Sequence, residues 1–178
     1  MTPPWLPLLR QAIDEELGRG PVVAAFATVD GGAARVRHVV VRRIDDDGRL
    51  CVATDVRSAK VRQVRDCPRG ELSFWLPRRR EQFRLLVDVA VWSDREVDRA
   101  VWAEMSEESK QMFYWPPPGA PREPATAGPI AVQPDPPPSY AVLSAVPIEV
   151  DLLELSPRPH ERRVWRRARE WAMERVNP

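Results

Sequence analysis

The chain begins with apolar residues at helical spacing. Between residues 4 and 17, the sequence PWLPLLRQAIDEEL repeats apolar side chains every third or fourth position, and such positions lie side by side on a helix. Gly18 and the Gly20-Pro21 pair that follows are typical of a helix end. We therefore expect one amphipathic lead-in helix.

The sequence then changes to apolar runs rich in β-branched and aromatic residues, several with turn residues between them. The runs are VVAAFATV (22–29), ARVRHVVVRR (34–43), RLCVAT (49–54), ELSFWLP (71–77), EQFRLLVDVAVW (81–92) and, later, YAVLSAVPIEVDLLEL (140–155). Such runs predict strands, and turn signals such as Asp30-Gly31-Gly32 between them predict hairpins. In the last run, Pro147 indicates an edge position or a bulge.

Two stretches between the strand runs indicate short helices. RSAKVRQVRDCP (57–68) favours one helix, capped from Thr54 or Asp55 and ended by Pro68. REVDRAVWAEMSEESKQMFYW (95–115) favours two, because Ser106 and the glutamates after it resemble a new N-cap.

The end of the chain is less regular. Residues 116–138 hold ten of the twenty prolines, a density that excludes helix and central strand and predicts an extended or disordered loop. In 162–178, the sequence RRVWRRAREWAMERVNP favours helix by propensity, whereas its scattered apolar residues also fit a terminal hairpin.

Length and composition indicate a single domain over residues 1–178. A chain of 178 residues that is 43% hydrophobic can close one core. It has no apolar run near the ~20 residues that span a bilayer, and its acidic N-terminal stretch is unlike a signal peptide. We expect a cytoplasmic protein without membrane contact. Cys51 and Cys67 stand at no metal-ligand spacing, so no metal is expected.

The net charge of +1 conceals an uneven distribution of charge. Residues 33–84 hold fourteen basic and seven acidic side chains, a balance of +7, so the rest of the chain carries −6. A local positive field in a nearly neutral protein fits a small phosphate-bearing ligand better than a nucleic acid, which usually meets a broader basic excess.

Two neighbouring segments of this basic block could hold a phosphate. Arg35 and Arg37 project from the same face of their strand, because strand side chains alternate. A turn later, Thr54, Ser58 and Lys60 bring hydroxyls and an ammonium to the start of a helix, where free backbone N–H groups attract anions. The sequence therefore predicts an anion site between the strand and the helix.

These residues resemble the pyridoxamine 5'-phosphate oxidase family. RHVVVR (37–42) is similar to the family's R-x-V-L-L-K strand, ATD…SAK (53–60) to its Y-T-N…S-R-K turn, and EQFR (81–84) to its R-Q-V strand. The ending W…ERVNP (171–178) resembles its W…R-L-x-P terminus. The spellings TDxRSxK, EQFR and FxWPxPG are closer to a bacterial branch of flavin-binding proteins related to these oxidases.

The resemblance implies a mainly β fold, an FMN-binding split barrel with a few short flanking helices. It also implies FMN at the interface of a homodimer. By the same resemblance, Arg37, Ser58 and Lys60 would hold the flavin phosphate, and Arg57 would replace a family arginine. Further residues are expected at the cofactor. Val39 and Val40 would form apolar walls, and Thr54 and Gln82 would contact the ribityl chain or the ring. Arg42 is also expected there.

The substrate side departs from the family pattern. The segment RPHER (158–162) resembles R-L-H-D-R, which implies that Arg158, His160 and Arg162 face substrate. The family's substrate-phosphate clamp, a lysine, a tyrosine, an arginine and a serine, is replaced by Arg42, Trp102, Ser106 and Lys110. Activity on pyridoxamine 5'-phosphate is therefore doubtful, because bidentate recognition is lost.

Three functions remain open from the sequence. The resemblance favours an FMN-dependent oxidoreductase acting on an unidentified small molecule. A flavin-binding module without catalysis, such as a carrier or sensor, fits the same residues, because the flavin carries the chemistry in either case. An arginine-rich barrel that binds nucleic acid is disfavoured by the net charge.

Overall fold

The computed structural model describes residues 2–18, 20–92, 95–121 and 130–178. In chain order the elements are α1 (Leu6–Leu17), β1 (Val23–Asp30), β2 (Ala33–Ile44), β3 (Leu50–Asp55), α2 (Ala59–Asp66), β4 (Arg69–Leu76), β5 (Glu81–Val91), α3 (Arg95–Glu104), α4 (Glu107–Gln111), β6 (Tyr140–Glu154), β7 (Glu161–Arg166) and β8 (Met173–Val176). Within the described ranges the protein is mainly β with short helices, as the sequence predicts.

The eight strands form one antiparallel sheet that closes on itself. Its order is β3-β2-β1-β4-β5-β6-β7-β8, and a further pairing of β3 with β6 joins the first six strands into a barrel. β7 and β8 extend from the barrel as a hairpin. None of the helices in the described parts of the chain is both long and apolar enough to cross a membrane.

The main hydrophobic core fills the barrel interior, and a second hydrophobic cluster lies outside the barrel. Alternate residues of the strands, such as Phe26, Leu85 and Leu152, fill the interior, in line with the two-residue period of a strand. On the outer side of β3 and β6, Trp102 and Phe113 pack with Tyr140 beneath α3 and α4. α3 and α4 therefore cover one wall of the barrel, whereas α1 and α2 pack their apolar residues against the main core.

A bulge in β6 and the N-caps of two helices were predicted from the sequence. Pro147 lies opposite Val87 at a register shift between β5 and β6, which confirms the bulge. Ser106 caps α4, and its Oγ accepts from the backbone N–H of Ser109 at 3.3 Å. The N-cap of α2 is Ser58; the prediction of Thr54 or Asp55 was wrong, because Thr54 and Asp55 still pair with β6 as part of β3.

The end of the chain forms the terminal hairpin rather than a helix. Residues 162–165 of β7 pair with 173–176 of β8, and the turn between them places Glu170 and Trp171 at positive φ. Pairing with β6 outweighs the helical propensity of the arginines and alanines. The predicted proline-rich loop at 116–138 lies partly outside the described residues, since 122–129 are not described.

Candidate functional site

Lys60 lies in the first turn of α2 and meets two hydroxyl groups. Its Nζ donates to Thr54 Oγ1 at 3.0 Å and to Ser58 Oγ at 3.3 Å. Thr54 and Ser58 are both buried, and their oxygens are 3.4 Å apart. The Ser58 hydroxyl makes no capping bond to its own helix. The end of β3 and the start of α2 therefore gather an ammonium and two hydroxyls in one place.

Arg37 reaches the same end of the barrel from β2. Val41 lies opposite Val52 on β3, so the antiparallel direction places Arg37 on the side where β3 ends. Its guanidinium donates to the Phe26 carbonyl at 3.1 Å, to Thr28 Oγ1 at 2.6 Å and to Gln63 Oε1 at 2.7 Å. The acceptors belong to β1 and α2, which hold the side chain firmly.

Arg37 and Lys60 are close enough for their charges to interact. Burial first, and then the charge of Arg37, lowers the pKa of the Lys60 ammonium, while Asp55 opposes the shift. Burial also lowers the pKa of Arg37. Among the described residues, neither side chain forms an ion pair. Two half-buried cations beside two hydroxyls fit a phosphate dianion, which accepts several charge-assisted hydrogen bonds. We call Arg37, Thr54, Ser58 and Lys60 the phosphate cluster.

Gln82 and Val40 lie on the other face of the barrel wall. Arg37 pairs with Phe26, which pairs with Leu72 and so with Leu85 on the interior face. Gln82 is three residues from Leu85, and an odd separation along a strand reverses the face. By the same alternation, Val40 points outward. In one chain the phosphate cluster and Gln82 are therefore on opposite faces.

The neighbouring cofactor candidates have separate roles. The side chain of Val39 packs into the core, so only Val40 of the two valines reaches the outer face. The Arg57 guanidinium donates to the two carboxylate oxygens of Asp55, at 2.9 Å and 2.6 Å, and to the Trp115 carbonyl. Arg57 thus orders the loop before α2, and its guanidinium is directed at Asp55.

Arg42 is a half-buried cation at the bulge of β2. The register of β2 against β3 shifts between Val41 and Arg43, which leaves Arg42 as the extra residue. Burial lowers the pKa of its guanidinium, and the nearby Tyr140 opposes the shift. Within the described ranges Arg42 has no carboxylate partner, so its charge is open to an anion.

Arg162 is the only one of the three substrate candidates that the structure brings beside Gln82. Both residues pair with Leu153 from opposite sides, so they share the outer face. Arg162 donates to Asp151 at 2.7 Å, and Arg84 also binds this carboxylate. Burial alone would raise the pKa of Asp151, but the hydrogen bonds from Arg162 and Arg84 lower it.

Arg158 and His160 lie in the loop between β6 and β7. Arg158 is exposed, and His160 is half-buried, with its Nδ1 3.2 Å from the Pro157 carbonyl oxygen. The structure therefore places these two residues in the connection from β6 to β7, just before the strand that carries Arg162. No described contact joins them to the phosphate cluster.

The residues at the family's substrate-phosphate clamp have structural roles. Trp102 is 1% exposed and packs against Tyr140, with ring centroids 4.9 Å apart. Ser106 caps α4, and Lys110 Nζ lies 5.5 Å from the centre of the Trp102 ring. The indole and the hydroxyl are thus committed to packing and capping rather than to a ligand.

Sequence reasoning missed Thr28 and Gln63, which hold Arg37. Both are buried, and Thr28 Oγ1 donates to Gln63 Oε1 at 2.7 Å. Thr28 looked like an ordinary strand residue. The one available signal was that Gln63 follows Lys60 by three positions, which places both on one face of a short helix.

The closed antiparallel barrel, with two cations at one end that form no ion pair within the described ranges, defines a split-barrel protein with a candidate phosphate site. Residues 2–93 match the sequence model of a family described as pyridoxamine 5'-phosphate oxidase, FMN-binding domain. The chain belongs to this family, and FMN is its cofactor.

Similar proteins agree with this membership. A pyridoxamine 5'-phosphate oxidase-related, FMN-binding protein from Nostoc punctiforme PCC 73102 is 31% identical, with full coverage of both chains and a TM-score of 0.90. Pyridoxine/pyridoxamine 5'-phosphate oxidase 2 of Arabidopsis thaliana is 27% identical over 85% of this chain and 83% of its own length. PhzG from Burkholderia lata 383, with 17% identity, 97% and 90% coverage and a TM-score of 0.76, shares the fold.

Proposed function

We propose that this protein is an FMN-dependent oxidoreductase in which Arg37, Ser58 and Lys60 hold the flavin phosphate, with Thr54 beside them. The observation that carries the proposal is a pair of half-buried cations that form no ion pair among the described residues and donate their described hydrogen bonds to neutral acceptors. Burying such charges is costly unless an anion compensates them. Bound FMN supplies hydride and electron transfer at its ring, and the protein orients it.

The ring contacts come, in this proposal, from the outer face of a second copy. Gln82 and Arg162 occupy one row of that face, with Val40 on the same side of the wall, whereas the phosphate residues belong to the interior face. A ligand that meets both sets needs two chains. Exposed apolar side chains support an interface here, since Val36 is 66% and Trp75 51% exposed.

The substrate site is altered relative to the named vitamin-B6 oxidases. One relative is named for oxidation of pyridoxine and pyridoxamine 5'-phosphates, but here only the lysine-to-Arg42 replacement in the clamp is conservative, and the other three positions carry residues of different chemistry. Trp102 is buried, Ser106 is a helix cap and Lys110 lies over the Trp102 ring, which leaves Arg42 as the available cation. One cation attracts a phosphate without fixing the orientation of the ring.

The phosphate assignment is tested by comparing FMN with riboflavin, which lacks the phosphate. Arg37→Ala and Lys60→Ala are each expected to weaken FMN binding by about 1.5–3 kcal/mol, the scale of a hydrogen bond to a charged group. Riboflavin binding should change little. Fluorescence titration of the flavin-free chain measures both ligands, and Arg65→Ala, an exposed arginine of α2, is the matched control. Equal wild-type affinities for the two ligands would contradict the assignment.

The substrate proposal predicts slow oxidation of pyridoxamine and pyridoxine 5'-phosphates. Hydrogen peroxide release by the FMN-loaded chain is compared with that of a vitamin-B6 oxidase assayed in parallel. We expect a catalytic efficiency more than tenfold lower, equivalent to more than about 1.4 kcal/mol of lost transition-state stabilisation. An efficiency within tenfold of the control would show that the clamp is not needed.

The oxidoreductase assignment itself is tested with a panel of reduced donors under anaerobic conditions. Bleaching of the bound flavin by at least one donor, faster than that of free FMN, is the expected result. A chain that binds FMN tightly and slows its reduction by every donor would instead be a flavin carrier.

A further inference from the structure

Gln63 is a buried residue of α2 that contacts Arg37, a residue of the proposed phosphate site. Its Oε1 accepts hydrogen bonds from Thr28 Oγ1 and from Arg37 Nη2, each at 2.7 Å. Its Nε2 donates to Asp30 Oδ2 at 3.2 Å. Gln63 is 3% exposed and Thr28 is 2% exposed, so these two members of the network are shielded from water.

The partners determine how the Gln63 amide is oriented. A guanidinium only donates hydrogen bonds and a carboxylate only accepts them. The amide oxygen must therefore face Arg37, and the amide nitrogen must face Asp30. Asp30 is itself held by Arg62, at 3.0 Å and 3.1 Å, which keeps its charge on the far side of the amide.

Every observed acceptor of Arg37 is neutral. They are the Phe26 carbonyl, the Thr28 hydroxyl and the Gln63 amide oxygen. Neutral acceptors fix the direction of the guanidinium without cancelling its charge. A carboxylate at position 63 would have nearly the same shape as the amide but would form a buried ion pair with Arg37.

We propose that Gln63 is a positioning residue that aims Arg37 at the flavin phosphate and leaves the charge of Arg37 available to it. This inference rests on the proposed function, since it needs a phosphate at Arg37. It adds a residue that touches no ligand, and it explains why an uncharged side chain lies between Arg37 and Asp30.

The experiment uses the full chain, freed of flavin, with FMN and riboflavin as probes. Gln63→Glu should weaken FMN binding at least tenfold, because the new carboxylate neutralises Arg37 and repels the phosphate. Gln63→Met, which keeps the length but makes no hydrogen bond, should weaken it three- to tenfold. Riboflavin affinity should stay within twofold. Gln11→Met, at an exposed glutamine that is bonded only to Glu15 among its described contacts, is the matched control.

A double substitution separates positioning from general destabilisation. If Gln63 acts through Arg37, adding Gln63→Met to Arg37→Ala should change FMN affinity less than twofold, because the group being aimed is already absent. Additive losses, or equal losses for FMN and riboflavin, would overturn the inference. If neither Gln63 variant folds, Thr28→Val tests the same network with the same expected pattern.

The outcome also distinguishes this inference from the proposed function. Loss of FMN binding in Arg37→Ala, with both Gln63 variants within twofold of wild type, would overturn the inference and leave the phosphate site intact. No loss in Arg37→Ala or Lys60→Ala would overturn the proposed site and the inference with it.

Discussion

Lys60 is half-buried, and its ammonium lies near a second cation, Arg37. Its described hydrogen-bond partners are the hydroxyls of Thr54 and Ser58, which accept a hydrogen bond but contribute no negative charge. Removing an ammonium from water favours its neutral form, and the charge of Arg37 acts in the same direction. Binding of an anion next to Lys60 would therefore favour its charged form.

This environment predicts a pH dependence of FMN binding. The pKa of Lys60 in the free protein lies below its usual value of 10.5, and a bound phosphate raises it by favouring the charged form. FMN affinity should therefore be full between about pH 6, where the phosphate becomes a dianion, and the lowered pKa of Lys60, and it should fall as the pH rises through that pKa towards 10.5. Titrations at increasing pH measure this.

Riboflavin and a non-titrating variant serve as controls for the pH dependence. Riboflavin carries the same ring, so ring ionisation cancels in the comparison. Lys60→Arg keeps a positive charge over the whole range and should remove the decline. A decline of equal size for riboflavin, or one that persists in Lys60→Arg, would assign the titration to another group.

The residues that could be predicted from sequence are those in short local motifs. Arg37, Ser58 and Lys60 lie on a strand and at a helix start whose periodicity is readable, and the structure does bring them together. Thr28 and Gln63 could not be found this way, because each contacts Arg37 only after β1, β2 and α2 have packed. The Asp55 partner of Arg57 is two positions away, but a pattern of residue types does not show which charges pair.

At the scale of elements, the turn between β2 and β3 also anchors α1. Gly48 has φ +87, and a Cβ there would lie 2.6 Å from Cη2 of Trp5. Trp5, next to the start of α1, is fully buried and contacts Trp171 edge to face with centroids 5.8 Å apart. The turn therefore supplies both a left-handed backbone and the space into which the indole fits.

Gly48→Ala should destabilise the fold by about 2–4 kcal/mol, combining the cost of a left-handed alanine with overpacking against Trp5. Gly32→Ala is the matched control: Gly32 has φ +84, and nothing lies within 4 Å of its added Cβ. It should cost only about 1–2 kcal/mol. Urea denaturation of both variants measures the difference, and equal losses would show that Trp5 moves aside freely.

Most elements could be predicted because their hydrophobic periods are clear. The strands of the barrel and the helices that begin near Leu6 and Ser106 follow from such periods and caps. The closure of the barrel by β3 and β6 does not follow from periodicity, because those strands are separated by more than eighty residues and pairing over that distance leaves no local signal; the split barrel was expected from the family resemblance alone. The β7–β8 hairpin was ambiguous for the same reason, since β6 provides the edge on which it forms.

At the scale of the molecule, the proposed cofactor residues are divided between two faces of one barrel wall. Arg37 and Thr54 belong to the interior side at one end, whereas Gln82 and Arg162 lie on the outer side. α3 and α4 pack on the outer side of β3 and β6, whereas Gln82 and Arg162 lie on either side of Leu153 in the row formed by β5, β6 and β7. A second copy is the partner that the proposed site needs.

The chain is therefore expected to be a homodimer with two flavins. Light scattering of the FMN-loaded protein should give twice the mass of 20.3 kDa. Val36→Asp, at a side chain that is 66% exposed on the outer face, should weaken the dimer, because a charge at an apolar contact is costly to desolvate. A monomeric mass with FMN still bound would contradict the shared site.

Because the proposed site is divided between two chains, the fraction of sites that hold flavin should depend on the concentration of the chain. A ligand that binds only the assembled pair stabilises that pair by mass action. Dilution of the chain should then release flavin, and added flavin should hold the pair together at lower chain concentrations. Cofactor loading in this protein would thus follow the amount of chain present as well as the amount of flavin.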